Sequence, residues 1–199
     1  MQETRPKIPS LAGVGQRDQQ AFIALTSSGM ESVKDWEGKI FGYKTSQPPG
    51  YLALLKANGV DTIFCVPGVQ LDAFFNALYD ERNSIRVIHN RHEQGSAYMA
   101  FGYAKTTGRV GAYAVVPGPG FLNSSAALST AYACNAPVLG IIGQTPSTQT
   151  GRNLGAHHEI PDQLGTLRNL TKWAARIDHP TEAPAKVDEA FRQLASGRV

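Results

Sequence analysis

Cysteine is scarce in this chain of 199 residues: Cys65 and Cys134 stand far apart and outside any C-x-x-C pattern. That usage excludes a disulfide framework and a zinc ribbon, and it suits a reducing compartment. No segment reaches the roughly 18 uninterrupted apolar residues of a membrane span. The opening MQETRPKIPSLAG carries Glu3 and lacks an apolar stretch of the signal-peptide kind. The expectation is a cytoplasmic protein with no membrane partner. Charge of one sign is also missing as a patch, because the net charge is +3 and Lys and Arg are scattered, so no nucleic-acid partner is expected. His89, Arg91, His92 and Glu93 spell H-x-R-H-E rather than the zinc motif H-E-x-x-H, and no metal ligands are expected. No Gly-Lys-Ser/Thr follows Gly118 or Gly143, which removes a Walker A loop. In GPGFLN, Asn123 stands where a dinucleotide fingerprint places its third Gly, and the acidic residue expected about 20 positions later is absent.

What is present is a chain with 42% hydrophobic residues, long enough for one substantial core. Its organisation changes near residue 50. Residues 1–49 mix polar residues with short apolar patches and close on TSQPPG, where Pro48 and Pro49 break a continuing helix; they read as an extension or linker. Residues 50–199 are regular. YLALLKANG is a short helix ending at Gly59, and VDTIFCVPG a buried strand stopped by Pro67 and Gly68. LDAFFNALYDE places Leu71, Phe74, Phe75, Leu78 and Tyr79 on one helical face. SIRVIHN is a strand, Glu93 to Thr106 a helix, GAYAVVPG a strand, Asn123 to Cys134 a helix and APVLGIIGQ a strand. A final helix turns Val187, Ala190, Phe191 and Leu194 inward. Strands alternating with helices over short connections predict an α/β fold: a doubly wound, mostly parallel sheet with helices on both faces.

Ligands of such sheets lie beyond the carboxyl ends of the strands. That rule selects VPGVQ, HNRHEQ, VPGPGFLNS and GQTPS, each with Gly, Pro or polar residues where a plain connector would do. Alone, Glu93 reads as a first-turn carboxylate offsetting the helix dipole, worth about 0.3–1 kcal/mol. His92 orients Glu93, lines a pocket, or is a satisfied structural residue. Pro67 and Gly68 also read as plain strand-to-helix turn chemistry, and Asn123 as a helix N-cap.

The run GVDTIFCVPG, then RHEQGSAYMAFGYAKTTG, then VVPGPGFLN and GIIGQTP resembles the N-terminal pyrimidine-binding (PYR) domain of thiamine-diphosphate enzymes of the acetolactate synthase type. The resemblance covers roughly residues 51 to 198 and rests on R-H-E-Q-G, A-x-G-Y-A, G-P-G and G-Q in one order. It implies thiamine diphosphate as cofactor and Glu93 as the catalytic carboxyl, hydrogen-bonded to N1′ of the cofactor's aminopyrimidine. The reaction chemistry would then belong to the cofactor, with the protein supplying orientation and a tuned carboxyl. It implies cofactor contacts at Pro67, Gly68, Gly118, Pro119, Gly120 and Asn123, and an active-site place for Gln144. The substrate would be a 2-keto acid. The cofactor would lie between two subunits of a homodimer or higher homo-oligomer, with a complementary diphosphate-binding domain holding Mg2+.

Residues 151–173 depart from the pattern. His157 and His158 stand where acetolactate synthases have Phe-Gln, which places these two histidines as candidate active-site lining. The cluster His157, His158, Glu159 and Asp162 lacks a recognised ligand spacing and reads as a substrate-facing or capping loop. LTKW at Leu170 to Trp173 matches the start of a family strand, with Trp173 in the core. The family continues into a central domain, which in some members binds FAD, and a C-terminal domain with a G-D-G…N motif. Neither occurs in residues 1–199, and the first 49 residues carry no likeness to the family. The expectation is a PYR domain truncated before those domains: a fragment, a split-enzyme half or a relic, needing the missing part for turnover. A noncatalytic interaction module is the alternative class. Within the enzymes, 2-keto acid decarboxylase and sulfoacetaldehyde acetyltransferase-like activities stay open.

Overall fold

A computed structural model describes residues 11–12, 21–22 and 48–197. The chain divides into two compact units, Met1–Thr45 and Ser46–Val199. In the first, β1 (Leu11–Ala12) and β2 (Ala21–Phe22) pair antiparallel; the remainder of the expected extension lies outside the described residues.

The second unit alternates strand and helix. α1 (Pro48–Ala57) leads to β3 (Thr62–Cys65), and a 3-10 turn over Val69–Leu71 opens α2 (Asp72–Asp80). Then follow β4 (Arg86–His89), α3 (Glu93–Thr107), β5 (Gly111–Val115), α4 (Pro119–Ala133), β6 (Val138–Ile142), α5 (Gln163–Leu170) and α6 (Ala183–Ala195). The four strands are parallel in the order β4-β3-β5-β6. The doubly wound α/β fold is therefore the observed one.

Strand alternation splits the core into two layers. Ile63, Cys65, Ala112, Ala114 and Ile141 face Leu52 and Leu55 of α1, Phe74 and Leu78 of α2, and Phe191 of α6. Phe64, Tyr113 and Val115 face Ala97 and Ala100 of α3, Phe121 and Leu128 of α4, and Leu167 of α5. Each fully buried Leu, Ile or Val in these layers contributes about 1.5–3 kcal/mol of transfer free energy. β5 is buried along its whole length, as the centre of a parallel sheet covered on both faces must be. Tyr113 is fully buried and closes its polar end on the Ser124 hydroxyl at 3.1 Å.

Several sequence expectations are corrected. α1 begins at Pro48, because a first-turn proline lacks only an N–H that a helix start leaves unpaired. For the same reason α4 starts at Pro119, with Gly118 at the cap position. Asn123 is thus a second-turn residue rather than the N-cap. Tyr79 is 68% exposed, so the buried stripe of α2 is narrower than predicted. α5 was not expected, and residues 171–178 form no strand. Trp173 is only half-buried. Among the described residues, no helix is long and apolar enough to cross a membrane.

Candidate active site at the carboxyl ends of the strands

β3 and β5 are neighbours, yet the helices that follow them, α2 and α4, cover opposite faces of the sheet. Their outgoing loops diverge and leave a crevice between them, the usual ligand position in a doubly wound sheet. At its floor the loops touch. The Val66 N–H donates to the Ala114 carbonyl at 3.3 Å, and a Cβ on Gly68 would collide with Val116 Cγ1.

α3 aims its first turn along this crevice. His92 is its N-cap, with extended backbone and Nδ1 accepting from the Gln94 N–H at 3.2 Å. The cap sets Glu93 at the first helical position, where the macrodipole favours a carboxylate. Glu93 is half-buried, and its Oε2 accepts from Asn123 Nδ2 at 2.9 Å. Its Oε1 faces bare backbone: a Cβ built on Gly120 would lie 3.5 Å from that oxygen and 2.6 Å from Val116 Cγ2.

Gly118 adopts φ 56° and ψ −115°. A Cβ there would strike the His158 carbonyl, 2.9 Å from its carbon, so glycine is needed both for the dihedral and for the approach of the 156–159 turn. That turn is closed by the Glu159 N–H donating to the Ala156 carbonyl and by the Ala156 N–H donating to Glu159 Oε2, at 2.8 and 2.9 Å. The His157 and His158 rings stack at 3.8 Å. Burial lowers the pKa of His158, as does the charge of His157, against the opposing pull of Glu93. Gln70 Nε2 donates to the His157 carbonyl at 3.2 Å.

Gln163 binds the third and fourth loops together. Its Oε1 accepts from the Gly118 N–H and its Nε2 donates to the Gly143 carbonyl, both at 2.9 Å. The side chain is 7% exposed. Gln144 lines a cavity of about 610 Å3 beside Gln70, Gly143 and Gln163, and its Oε1 accepts from the Thr145 N–H at 2.8 Å.

Of the sequence-selected residues, the fold assembles Glu93, Gly118, Gly120, Asn123 and His158 around one crevice, with Gly68 at its floor. Pro119 is exposed at the start of α4 and His92 is spent on capping. Asp162 caps α5 by accepting from the Gly165 N–H at 2.8 Å. Sequence reasoning missed Gln163; it selected Gln70 only as part of the VPGVQ loop and Glu159 only as part of the cluster with His157, His158 and Asp162. Only the Q-L-G at the start of α5, three residues after Ile160 and behind a capping Asp, offered any signal for Gln163.

The family model described as thiamine pyrophosphate enzyme, N-terminal TPP binding domain, matches residues 51–166. The chain belongs to this family. A probable acetolactate synthase large subunit of Methanocaldococcus jannaschii is 38% identical over 144 residues, 72% of this chain and 24% of the relative. A probable 2-ketoarginine decarboxylase of Pseudomonas aeruginosa is 35% identical over 145 residues, 73% of this chain and 26% of the relative. The mitochondrial acetolactate synthase catalytic subunit of Saccharomyces cerevisiae is 32% identical over 194 residues, 98% of this chain and 27% of the relative. That last match reaches into the first 49 residues, which the sequence reading had left without likeness. This thiamine pyrophosphate enzyme domain spans about a quarter of the length of the curated relatives it matches.

Proposed function

We propose that this chain grips the aminopyrimidine half of thiamine diphosphate and serves an enzyme that acts on 2-keto acids, most like acetolactate synthase. The observation that carries the reading is Glu93: a half-buried carboxylate at the topological switch point, held on one oxygen by Asn123 and turned with the other toward the bare backbone of Gly120. The residues present fit that half of the cofactor. At Gly68, Gly118 and Gly120 a Cβ would meet Val116 or the His158 carbonyl, so the loops beside Glu93 pack this closely only because these positions carry no side chain.

When bound, thiamine diphosphate supplies a carbon nucleophile for the keto carbon of the substrate. The chain's own part is positioning and proton holding. Asn123 holds the Glu93 carboxyl at Oε2 and leaves Oε1 to hydrogen-bond the ring nitrogen of the aminopyrimidine. Gln144 and the His157–His158 turn line the approach of the substrate. The diphosphate, Mg2+ and, in enzymes that use it, FAD would be held outside these residues, by a complementary domain or a second copy. Side chains exposed on adjoining helices, Tyr98 and Met99 of α3 with Leu122 and Tyr132 of α4, support such a partner. The working location is the cytoplasm.

The test is calorimetric titration of thiamine diphosphate with Mg2+ into the chain, alone and with its complementary diphosphate-binding domain, followed by turnover of pyruvate. Binding and turnover are expected with the partner. Glu93→Gln is nearly isosteric, so the melting temperature should hold while turnover falls about 10²–10⁴-fold, the usual worth of a positioned proton-transfer group. Undiminished turnover in that variant would remove Glu93 from the mechanism.

A further inference from the structure

The sheet has two edges, and they differ. β4 ends one edge with Arg86 and His89 exposed, polar residues of the kind that keep an open edge from pairing further. β6 ends the other as VLGII, without a charge, a run that belongs inside a parallel sheet covered on both faces. The Gly111 N–H donates to the Pro137 carbonyl and the Gly143 N–H to the Val115 carbonyl. The alternation of the ladder therefore turns Leu139 and Ile141 to β5, and the backbone N–H and C=O groups of Val138, Gly140 and Ile142 outward. Among the described residues no strand lies on that side. A space does. The cavity that reaches Gln144 is lined by every residue from Val138 to Gly143 and by every residue from Thr171 to Asp178. It also touches Leu71 and Phe74 of the first core layer, and Leu128 and Leu167 of the second. Those layers cover opposite faces of the sheet, so the cavity of about 610 Å3 wraps the edge of β6 rather than one face of it.

We infer that this cavity is a slot for one more strand: an uncharged apolar segment, matching the 5 residues of β6, that hydrogen-bonds to Val138, Gly140 and Ile142 and is supplied by the part of the enzyme that holds the diphosphate. Three observations choose that occupant. The lining is apolar where β6 contributes Leu139, Ile141 and Ile142 and the 171–178 segment contributes Trp173, Ala174 and Ala175. A charged strand would lose its hydration there without return. Cations that line the cavity are already engaged, Lys172 on the Gln193 and Ser196 carbonyls and Arg176 on Asp178, so they call for no acidic partner. The curated relatives, finally, match this chain over only 24–27% of their length, so enzymes of this family carry the polypeptide from which such a strand can come. Assigning the strand to the diphosphate-holding part rests on the function proposed above; the slot itself does not.

The experiment follows amide hydrogen exchange of the chain in proton–nitrogen correlation spectra. The chain is measured alone, with the peptide acetyl-Lys-Val-Leu-Val-Ile-Val-Lys-amide, and with the complementary diphosphate-binding domain. Peptide and domain should each slow exchange at Val138, Gly140 and Ile142 by about tenfold or more, while Leu139 and Ile141, already bonded to β5, hold their rates. Trp173 lines the slot, and in a Trp36→Phe chain, where it is the one tryptophan left, its emission should shift to the blue with the peptide. Val138→Lys plants a charge on the edge and should abolish the protection. Ala175→Asp does so from outside the sheet, which keeps the inference testable if Val138→Lys unfolds. No slowing with the peptide, uniform slowing across residues 138–142, or protection that survives both variants would overturn the slot. Protection that grows with the chain's own concentration, with a dimer in sedimentation, would give the edge to a second copy. Protection by the peptide but not by the domain would deny that domain the strand, and either result overturns the assignment. Thiamine diphosphate bound in the presence of the domain with these amides unprotected refutes this inference alone, whereas protected amides without cofactor binding refute the proposed function.

Discussion

Gly118→Ala tests the geometry on which the site depends. The residue sits at φ 56° and ψ −115°, a sparsely populated region that costs a residue with a side chain about 1–3 kcal/mol. Its added Cβ would also drive into the carbonyl of His158, 2.9 Å from the carbonyl carbon. Backbone cannot swing aside as a long side chain can, so overpacking adds about 1–3 kcal/mol. Gly59→Ala supplies the control. Gly59 has φ +81° with nothing near its absent Cβ, so that substitution meets only the left-handed penalty of about 1–2 kcal/mol. Both changes are Gly to Ala, and their effects on the unfolded chain cancel in the comparison. The excess for Gly118→Ala is then about 2 kcal/mol, and at 2–4 °C per kcal/mol for a unit of this size it should melt about 4–8 °C below Gly59→Ala. The assay is thermal unfolding followed by circular dichroism on the two variants side by side. Equal melting temperatures would show that the 156–159 turn does not press on the G-P-G loop, and the crevice geometry would fall with it.

Gln163→Leu strands the Gly118 N–H and the Gly143 carbonyl in a buried place. At about 1–3 kcal/mol for each orphaned group, chemical denaturation should register a loss of about 2–6 kcal/mol, and a loss below about 0.5 kcal/mol, the ordinary range for a surface change, would deny Gln163 its bridging role. The pH dependence follows from His158. Its folded pKa is lowered by burial from the usual 6.5, so the unfolded chain binds the proton more readily. The stability it contributes is present above pH 6.5 and is lost as the pH falls toward the lowered folded value. Melting temperature measured between neutral and mildly acid pH should therefore decline less steeply in His158→Gln than in the parent chain, and an identical slope would show that His158 is not the group being titrated.

The sheet was legible because apolar runs such as TIFC and GAYAV end at turn residues, and burial on both faces demands such runs. The boundaries of α1 and α4 were not, since a proline pair reads as a break even where it begins a helix. Tyr79 was placed inward because its spacing fits the apolar stripe of α2; spacing names a face but not how far the sheet beneath it extends. α5 escaped notice because QLGTLRNL carries a glycine and few apolar residues, and its helix is defined by the Asp162 cap and by packing of Leu167 and Leu170. Glu93 and the G-P-G loop were readable from their motifs, whose chemistry is carried by residues adjacent in sequence.

The amino-acid order alone therefore determined the parallel α/β architecture, the four loops at the strand ends and the carboxylate at the start of α3, because hydrophobic period and turn chemistry act over a few neighbouring residues. Tertiary structure decided the rest. Gln163 reaches Gly118 across 45 residues and Gly143 across 20, and Gln70 reaches the His157 carbonyl across 87. Hydrogen bonds over such separations exist only after the sheet has brought its loops to one edge, so the bridge of Gln163 and the tie from Gln70 to the 156–159 turn are properties of the folded site.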